Sequence, residues 1–206
     1  MYEVPPRIAL APGAWETVVD EAERAFAIAM PRGWDNRAWL LRRGTLVHQL
    51  ATATSPSGET TLFMGDPSIP DFADPLSGVP HPDGTVPHPY EPIERLLPGY
   101  VKGRFGALPG FRITGMVPSA ELFHIVDHMA RQAGATQRWI TAARIAFHFT
   151  EGRRPVNALV FGSSTNIGAV WMVEMHGITT RNDPEAFTHA LLDMIASRRA
   201  LPHARP

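Results

Sequence analysis

Between Phe26 and Phe72 the sequence reads almost wholly as extended chain. Ala25 to Trp34 is AFAIAMPRGW, with small and apolar side chains alternating up to Pro31 before a break at Gly33-Trp34. Thr45 to Phe72 is TLVHQLATATSPSGETTLFMGDPSIPDF, two runs flanking Ser55-Pro56-Ser57-Gly58. Short alternating runs punctuated by Pro and Gly give strand, corner, strand, turn, strand. Pro56 and Gly58 suit a tight reversal between strands at Leu46–Thr54 and Thr60–Met64. The remainder of the chain is expected to complete the same sheet.

Upstream, residues 14–24 fit either a helix face (Trp15, Val18, Val19, Ala22) or a strand face (Trp15, Thr17, Val19). The β-branched run Thr17-Val18-Val19 favours a strand paired with Ala25–Met30 as a hairpin. From Gly65 to Pro98 lie nine prolines. Proline removes ladder donors and fixes φ, so this segment is expected to be an irregular loop, with Tyr90, Ile93, Leu96 and Leu97 tying down its far end. A weak helix over Gly99–Leu108 and a short strand at Phe111–Val117 come next. Ser119 caps a helix from Ala120 to about Gln132, stopped by Gly134, with Leu122, Phe123, Val126, Met129 and Ala130 as its apolar stripe. Trp139–Thr150, Val156–Ser163 and Ala169–Thr179 read as three closing strands. Asp183-Pro184 then starts a last helix reaching about Arg198. The tail Leu201-Pro202-His203-Ala204-Arg205-Pro206 is expected to fray.

A length of 206 residues supports one core, and no linker divides the chain, so a single domain is expected over 1–206. Nineteen Lys and Arg against twenty Asp and Glu leave a net charge of -1, which gathers no phosphates and argues against nucleic acid as partner. With no cysteine there are no disulfides, thiolate metal sites or iron–sulfur clusters. No run approaches the ~18 apolar residues of a membrane span, and no basic leader precedes an apolar stretch. A soluble, cytoplasmic protein with no membrane partner is expected.

Several features together carry a family resemblance. They are the opening hairpin, the Phe26…Pro31-x-Gly33-Trp34 corner, the Ser-Pro-x-Gly turn, Phe63-x-Gly65-Asp66-Pro67, and Trp171-x-Val173 with the Asp-Pro-capped helix after it. The chain resembles the PsbP/Mog1-like superfamily, in particular its uncharacterised bacterial members. The resemblance implies an α+β fold, a central antiparallel β-sheet of about six to seven strands packed with two or three helices. It also implies a binding or assembly module, and it brings no catalytic motif or cofactor. The long proline-rich loop departs from the pattern.

Candidate chemistry sits on the closing strands. If Thr150 faces Pro155 across the turn, His148 lies opposite Asn157, and parity allows Asn157 to meet Glu174, with His176 two residues on. Such a row, with side chains ~5 Å apart, could orient a ligand or place a general base. Arg144 shares that face; Ile145, Phe147, Phe149, Trp171 and Val173 fill the other and are expected core. A half-solvated face, or polar groups satisfied beneath a helix, is the plainer account. Trp139 and Met172 could border a shallow pocket. Asp66, at a Gly-Asp-Pro corner, is a further candidate, its ordinary role being an Asx turn.

His124 and His128 have the i, i+4 spacing of metal ligands, but Ile125 stands where a zincin needs Glu, so surface histidines are expected. His81, Asp83 and the loop aspartates lack calcium-loop spacing, and His81-Pro82-Asp83-Gly84 reads as a turn. Gly162-Ser163-Ser164 is not a nucleophile elbow, and Gly103-x-x-Gly106 is not a dinucleotide fingerprint. No metal or other cofactor is expected. The leading expectation is a non-catalytic module whose sheet face or proline-rich loop binds another protein or its own copy as a homo-oligomer. The alternative is a small-molecule binder or acid–base enzyme of the NTF2-like cyclase or isomerase type, with a pocket over His148, Asn157 and Glu174.

Overall fold

The computed structural model describes residues 14–43, 46–78, 83–135, 138–167 and 170–202. Trp15–Val19 (β1) and Phe26–Pro31 (β2) form the antiparallel hairpin that the β-branched run predicts, Trp15 opposite Pro31. Asp20 builds its turn: the buried carboxylate accepts from the backbone N–H groups of Ala22, Glu23 and Ala25 at 3.1–3.3 Å. The main sheet uses Asp35–Arg43 (β3), Leu46–Thr54 (β4), Thr60–Met64 (β5), Asp71–Ala73 (β6), Thr85–Pro87 (β7), Arg112–Pro118 (β8), Trp139–Glu151 (β9), Arg154–Ile167 (β10) and Val170–Thr180 (β11). Its order is β3-β4-β5-β11-β10-β9-β8, with β6 paired to β11 and to β7. Ile93–Phe105 (α1), Ala120–Gln132 (α2) and Thr188–Ala196 (α3) are the helices, and Arg199–Ala200 (β12) is a last short strand.

The fold is therefore α+β, a large antiparallel sheet packed with three helices, with nine strands in place of the six or seven expected. Three of its strands are not predicted by the sequence. β3 is one, its sequence DNRAWLLRR interrupting alternation with charge. The others are β6 and β7, which lie in the proline-rich segment and pair in parallel. That segment is thus not an irregular loop throughout. Phe72 stacks on Trp171 at 4.2 Å between centroids, and the Trp171 indole N–H donates to the His88 carbonyl. Residues 79–82, with the first half of the expected His81-Pro82-Asp83-Gly84 turn, lie outside the described residues.

The opening hairpin also differs from expectation: it does not join the main sheet. β2 pairs with β1 on one side and β12 on the other as a separate three-stranded sheet. Phe26, Ile28 and Met30 are fully buried, so this small sheet acts as a cover for the large one.

β9 and β10 pair as predicted, Thr150 opposite Pro155 and His148 opposite Asn157. The next ladder departs from the prediction. Asn157 faces Thr180 and Glu174 faces Ser163, because β10 continues past Ser163 through Ser164–Asn166, where the sequence suggests a turn. Those three residues are buried strand; the Ser164 hydroxyl donates to the Glu91 carbonyl at 2.9 Å. The offset is six residues, an even number, so every side chain stays on its expected face.

Both faces are covered. Ile145, Phe147, Phe149, Trp171 and Val173 form a core with Ile93, Leu97, Val101 and Phe105 of α1, as their alternation predicts. α1 begins six residues before the expected Gly99, its first N–H donating to Thr141 Oγ1 at 2.8 Å. It sits closely: a Cβ at Gly162 would come within 2.8 Å of the Ile93 side chain. The mixed face, where the sequence allows a site but polar groups beneath a helix are the plainer account, is core as well. Leu159, Phe161 and Ile178 pack there under α2, α3 and the small sheet. α2 keeps its predicted cap, Ser119 Oγ accepting from the Leu122 N–H, while Phe123 falls off the buried stripe and is 37% exposed. At the last helix, Asp183 accepts from the Glu185 N–H, and the first turn, Pro184–Phe187, is 3-10 before α3 proper.

Candidate functional site

The polar side chains of the mixed face divide into two groups. The first is His148 and Asn157, on one rung near the β9–β10 turn, with Arg144 further along β9, opposite Phe161 and so level with His176 across β10. Asn157 donates to the Asn182 carbonyl at 3.1 Å, tying down the turn after β11, and Arg144 forms an ion pair with Glu185 at 2.7 Å. His148 and Asn157 share the expected rung, but Glu174 is not beside them.

Glu174 and His176 form the second group, beneath α2 and α3. Both Glu174 carboxylate oxygens receive Arg198, Nη1 to Oε1 at 2.7 Å and Nη2 to Oε2 at 3.2 Å. Arg198 also donates through Nε to the Ile195 carbonyl, at the end of α3, and Nη2 lies 3.4 Å from Met129 Sδ on α2. Its side chain is 4% exposed. Burial pushes the Glu174 carboxyl up, but the Arg198 charge and its hydrogen bonds, aided by His176 and His48, hold it down at about 2.

His176 is fully buried, its Nδ1 accepting from the Gly65 N–H at 3.3 Å, which places the imidazole proton on Nε2. Nε2 has no hydrogen-bond partner among the described residues; Glu174 Oε2 is 3.9 Å away. Burial lowers the His176 pKa to about 4 against the pull of Glu174, so the ring is neutral near pH 7. Nearby, His48 Nε2 meets Asp71 Oδ2 at 2.6 Å, while the buried Asp71 Oδ1 is unpaired among the described residues. Sequence reasoning leaves His48 unmarked, and Asp71 is only one of several loop aspartates, because β4 and β6 are brought to this place by their separate pairings.

A cavity of about 190 Å³ opens beside Glu174, between α2 and the β10–β11 hairpin, lined mostly by aliphatic and methionine side chains. Met172 belongs to it. Trp139, which the sequence pairs with Met172, borders a different opening: a groove of about 420 Å³ with Phe123, Asp127, Arg138 and Ile140. Asp127 accepts from Arg138 at 2.7 Å and Arg131 at 2.9 Å, and these cations hold its carboxyl below the usual range. Trp139 is 70% exposed, touching Tyr90 at 6.3 Å between centroids.

Asp66 makes the expected Asx turn, accepting from Ser68 N–H at 2.8 Å, and does more. Its buried carboxylate accepts from the Tyr100 hydroxyl and pairs with Arg104 at 2.7 Å, anchoring α1 to the corner after β5. Burial alone would raise its pKa, but these partners lower it, while burial and the carboxylate raise that of Tyr100. His124 and His128 are exposed on α2, and among the described residues no three His, Asp or Glu side chains are placed to share a metal. Nor is any described helix long and apolar enough to cross a membrane.

No family model and no curated protein matches the chain. Among solved structures it is similar to LpqN, involved in cell envelope biogenesis of Mycobacterium tuberculosis. That similarity is at 10% identity over 96% of this chain and 99% of LpqN, with a TM-score of 0.38. It is also similar to PA94, a protein of unknown function from Pseudomonas aeruginosa, at 10% identity over 86% and 88%, with a TM-score of 0.31. These are distant likenesses of fold, and no function is drawn from them.

Proposed function

We propose that this chain is a non-catalytic protein-binding module of PsbP/Mog1-like type that takes an extended polypeptide segment, from another protein or a second copy, along the free edge of β8. The observation that carries the reading is the contrast between the two edges of the large sheet. Edge strands present unpaired N–H and C=O groups, which natural proteins commonly guard with charge. β3 is guarded by Asp35, Arg37, Arg42 and Arg43, whereas β8 carries a single charged residue, Arg112. Met116 and Val117 on β8 are 40% and 49% exposed.

Beyond Pro118, opposite Ala143, β9 continues back to Trp139, beside the groove between Phe123 and Trp139. A strand added here gains backbone pairing from the edge and side-chain contact from the aromatics, the usual division of labour in strand addition. The sheet faces, expected from sequence alongside the proline-rich loop as the binding surface, are covered by the molecule's own helices and small sheet, which moves the reading to the edge. The acid–base enzyme is less favoured, since it needs His148, Asn157 and Glu174 in one row.

The test combines light scattering with photo-crosslinking from positions 116 and 139 in cells producing the protein. A mass that doubles with concentration and reverts in Val117→Lys identifies a second copy; a crosslink from both positions to one polypeptide identifies another partner. A monomer that crosslinks to no polypeptide from either position rejects the reading.

A further inference from the structure

The cavity under α2 plays no part in edge-strand binding, and its walls are chemically selective. Val126, Met129 and Ala130 of α2 face Thr165, Ile167 and Met172 of the β10–β11 hairpin, and into this mostly apolar space opens one charged group, Glu174. The Glu174 side chain is 32% exposed although its oxygens are held by Arg198. Each carboxylate oxygen offers two lone-pair directions and Arg198 takes one from each, so acceptor capacity remains. We infer that this cavity binds a small neutral molecule of about benzene size bearing one hydroxyl, its apolar body between Met129 and Met172 and its hydroxyl donating to Glu174.

Size, polarity and charge each narrow the ligand. An apolar protein cavity of about 150 Å³ accommodates benzene, and this one measures about 190 Å³. The unbranched thioethers of Met129 and Met172 can adjust to a flat or a flexible body. A carboxylate or phosphate would be buried facing acceptor oxygens, with Arg198 already engaged and no counter-charge of its own. An ammonium finds a carboxylate whose charge Arg198 already balances, so it would be buried with no counter-charge of its own. A hydrocarbon of the same shape would cover the open part of Glu174 without offering a donor, a cost that a hydroxyl avoids. A hydroxyl on an apolar body meets all three conditions.

Phenol and toluene, nearly equal in shape, serve as probes. The methyl resonances of Met129 and Met172 are followed by NMR while each is titrated into the full chain. Phenol is expected to shift both methyls saturably, and toluene to bind at least about tenfold more weakly. Ala133→Phe, at an exposed helix-end position on the cavity rim, is expected to abolish the phenol shifts while the rest of the spectrum stays folded. Glu174→Gln is a poor sole probe because it leaves Arg198 unmatched, and the phenol–toluene comparison reads the same contact with the fold intact. Absence of a saturable shift, shifts that survive Ala133→Phe, or equal binding of the two probes would overturn the inference. Val117→Lys is expected to leave phenol binding unchanged, so this site and the β8 edge succeed or fail separately.

Discussion

Arg198 meets Glu174 fork to fork across 24 residues of sequence, with N–O distances of 2.7 and 3.2 Å. The pair fastens the end of α3 to the centre of the sheet, and removing one partner strands the other charge in a poorly hydrated place. Glu174→Gln and Arg198→Met are each expected to cost about 2–4 kcal/mol, somewhat below a fully buried pair because Glu174 is partly open. The double variant Glu174→Gln/Arg198→Met is expected to recover part of that loss. Urea denaturation of the three variants measures it; additive losses would show that the two side chains do not act as a pair.

Acidification is expected to destabilise the fold from near-neutral pH. The unfolded chain takes a proton on His176 below its ordinary value of 6.5, the folded chain only below about 4. Between those values unfolding binds a proton, so stability falls as pH falls. Glu174 continues the trend, its folded value of about 2 lying below the ordinary 4.5. Urea midpoints should therefore decline from pH 6.5 towards pH 2. His176→Asn, whose side-chain oxygen can replace Nδ1 as acceptor from Gly65, should flatten the decline between pH 6.5 and 4.5 whatever its uniform cost. An unchanged slope would remove His176 as the titrating group.

Asp66 is expected to matter more for α1 than for the turn it starts. Tyr100→Phe removes one hydrogen bond to a carboxylate and should cost about 1.5–3 kcal/mol. Asp66→Ala removes the Asx turn, the Tyr100 bond and the Arg104 pair together, and should cost more. Amide exchange in α1, compared between the two variants, should quicken in both; protection equal to wild type would mean the corner does not hold the helix.

Gly177 lies where a Cβ would stand 2.4 Å from the Phe63 ring and 3.2 Å from the Leu159 carbonyl. Gly177→Val should cost about 1–3 kcal/mol by overpacking, despite valine's preference for strands. Phe63→Leu in the same chain should restore part of the stability, as read by thermal unfolding.

How far these sites could be read from the sequence depended on how local their causes are. α2 and the β9–β10 turn were legible because Ser119, Gly134 and Gly152 act within a few residues of themselves; Gly152 has φ +62° and Gly134 φ +81°. The β10–β11 register was not, because Ser164-Thr165-Asn166 has turn chemistry, and it is pairing with β9 and β11 together with burial that keeps it extended. β3 and β6 escaped notice for related reasons: charge masks the first, and the second is three residues long and exists by pairing with β11. Of the site, Glu174 and His176 were visible as polar positions on a strand. Arg198, His48 and Asp71 reach them from elements far apart in the chain, a convergence that no spacing encodes.

The small sheet places a demand on the order of events during synthesis. β2 receives its second neighbour from Arg199–Ala200, and the Ala29 N–H is met by Ser197 Oγ, 168 residues further along. Until the ribosome has released that stretch, a strand as apolar as Phe26–Pro31 has one open side. The nascent chain therefore carries an adhesive edge until residues 197–200 have emerged, and chaperone dependence or early aggregation should trace to β2.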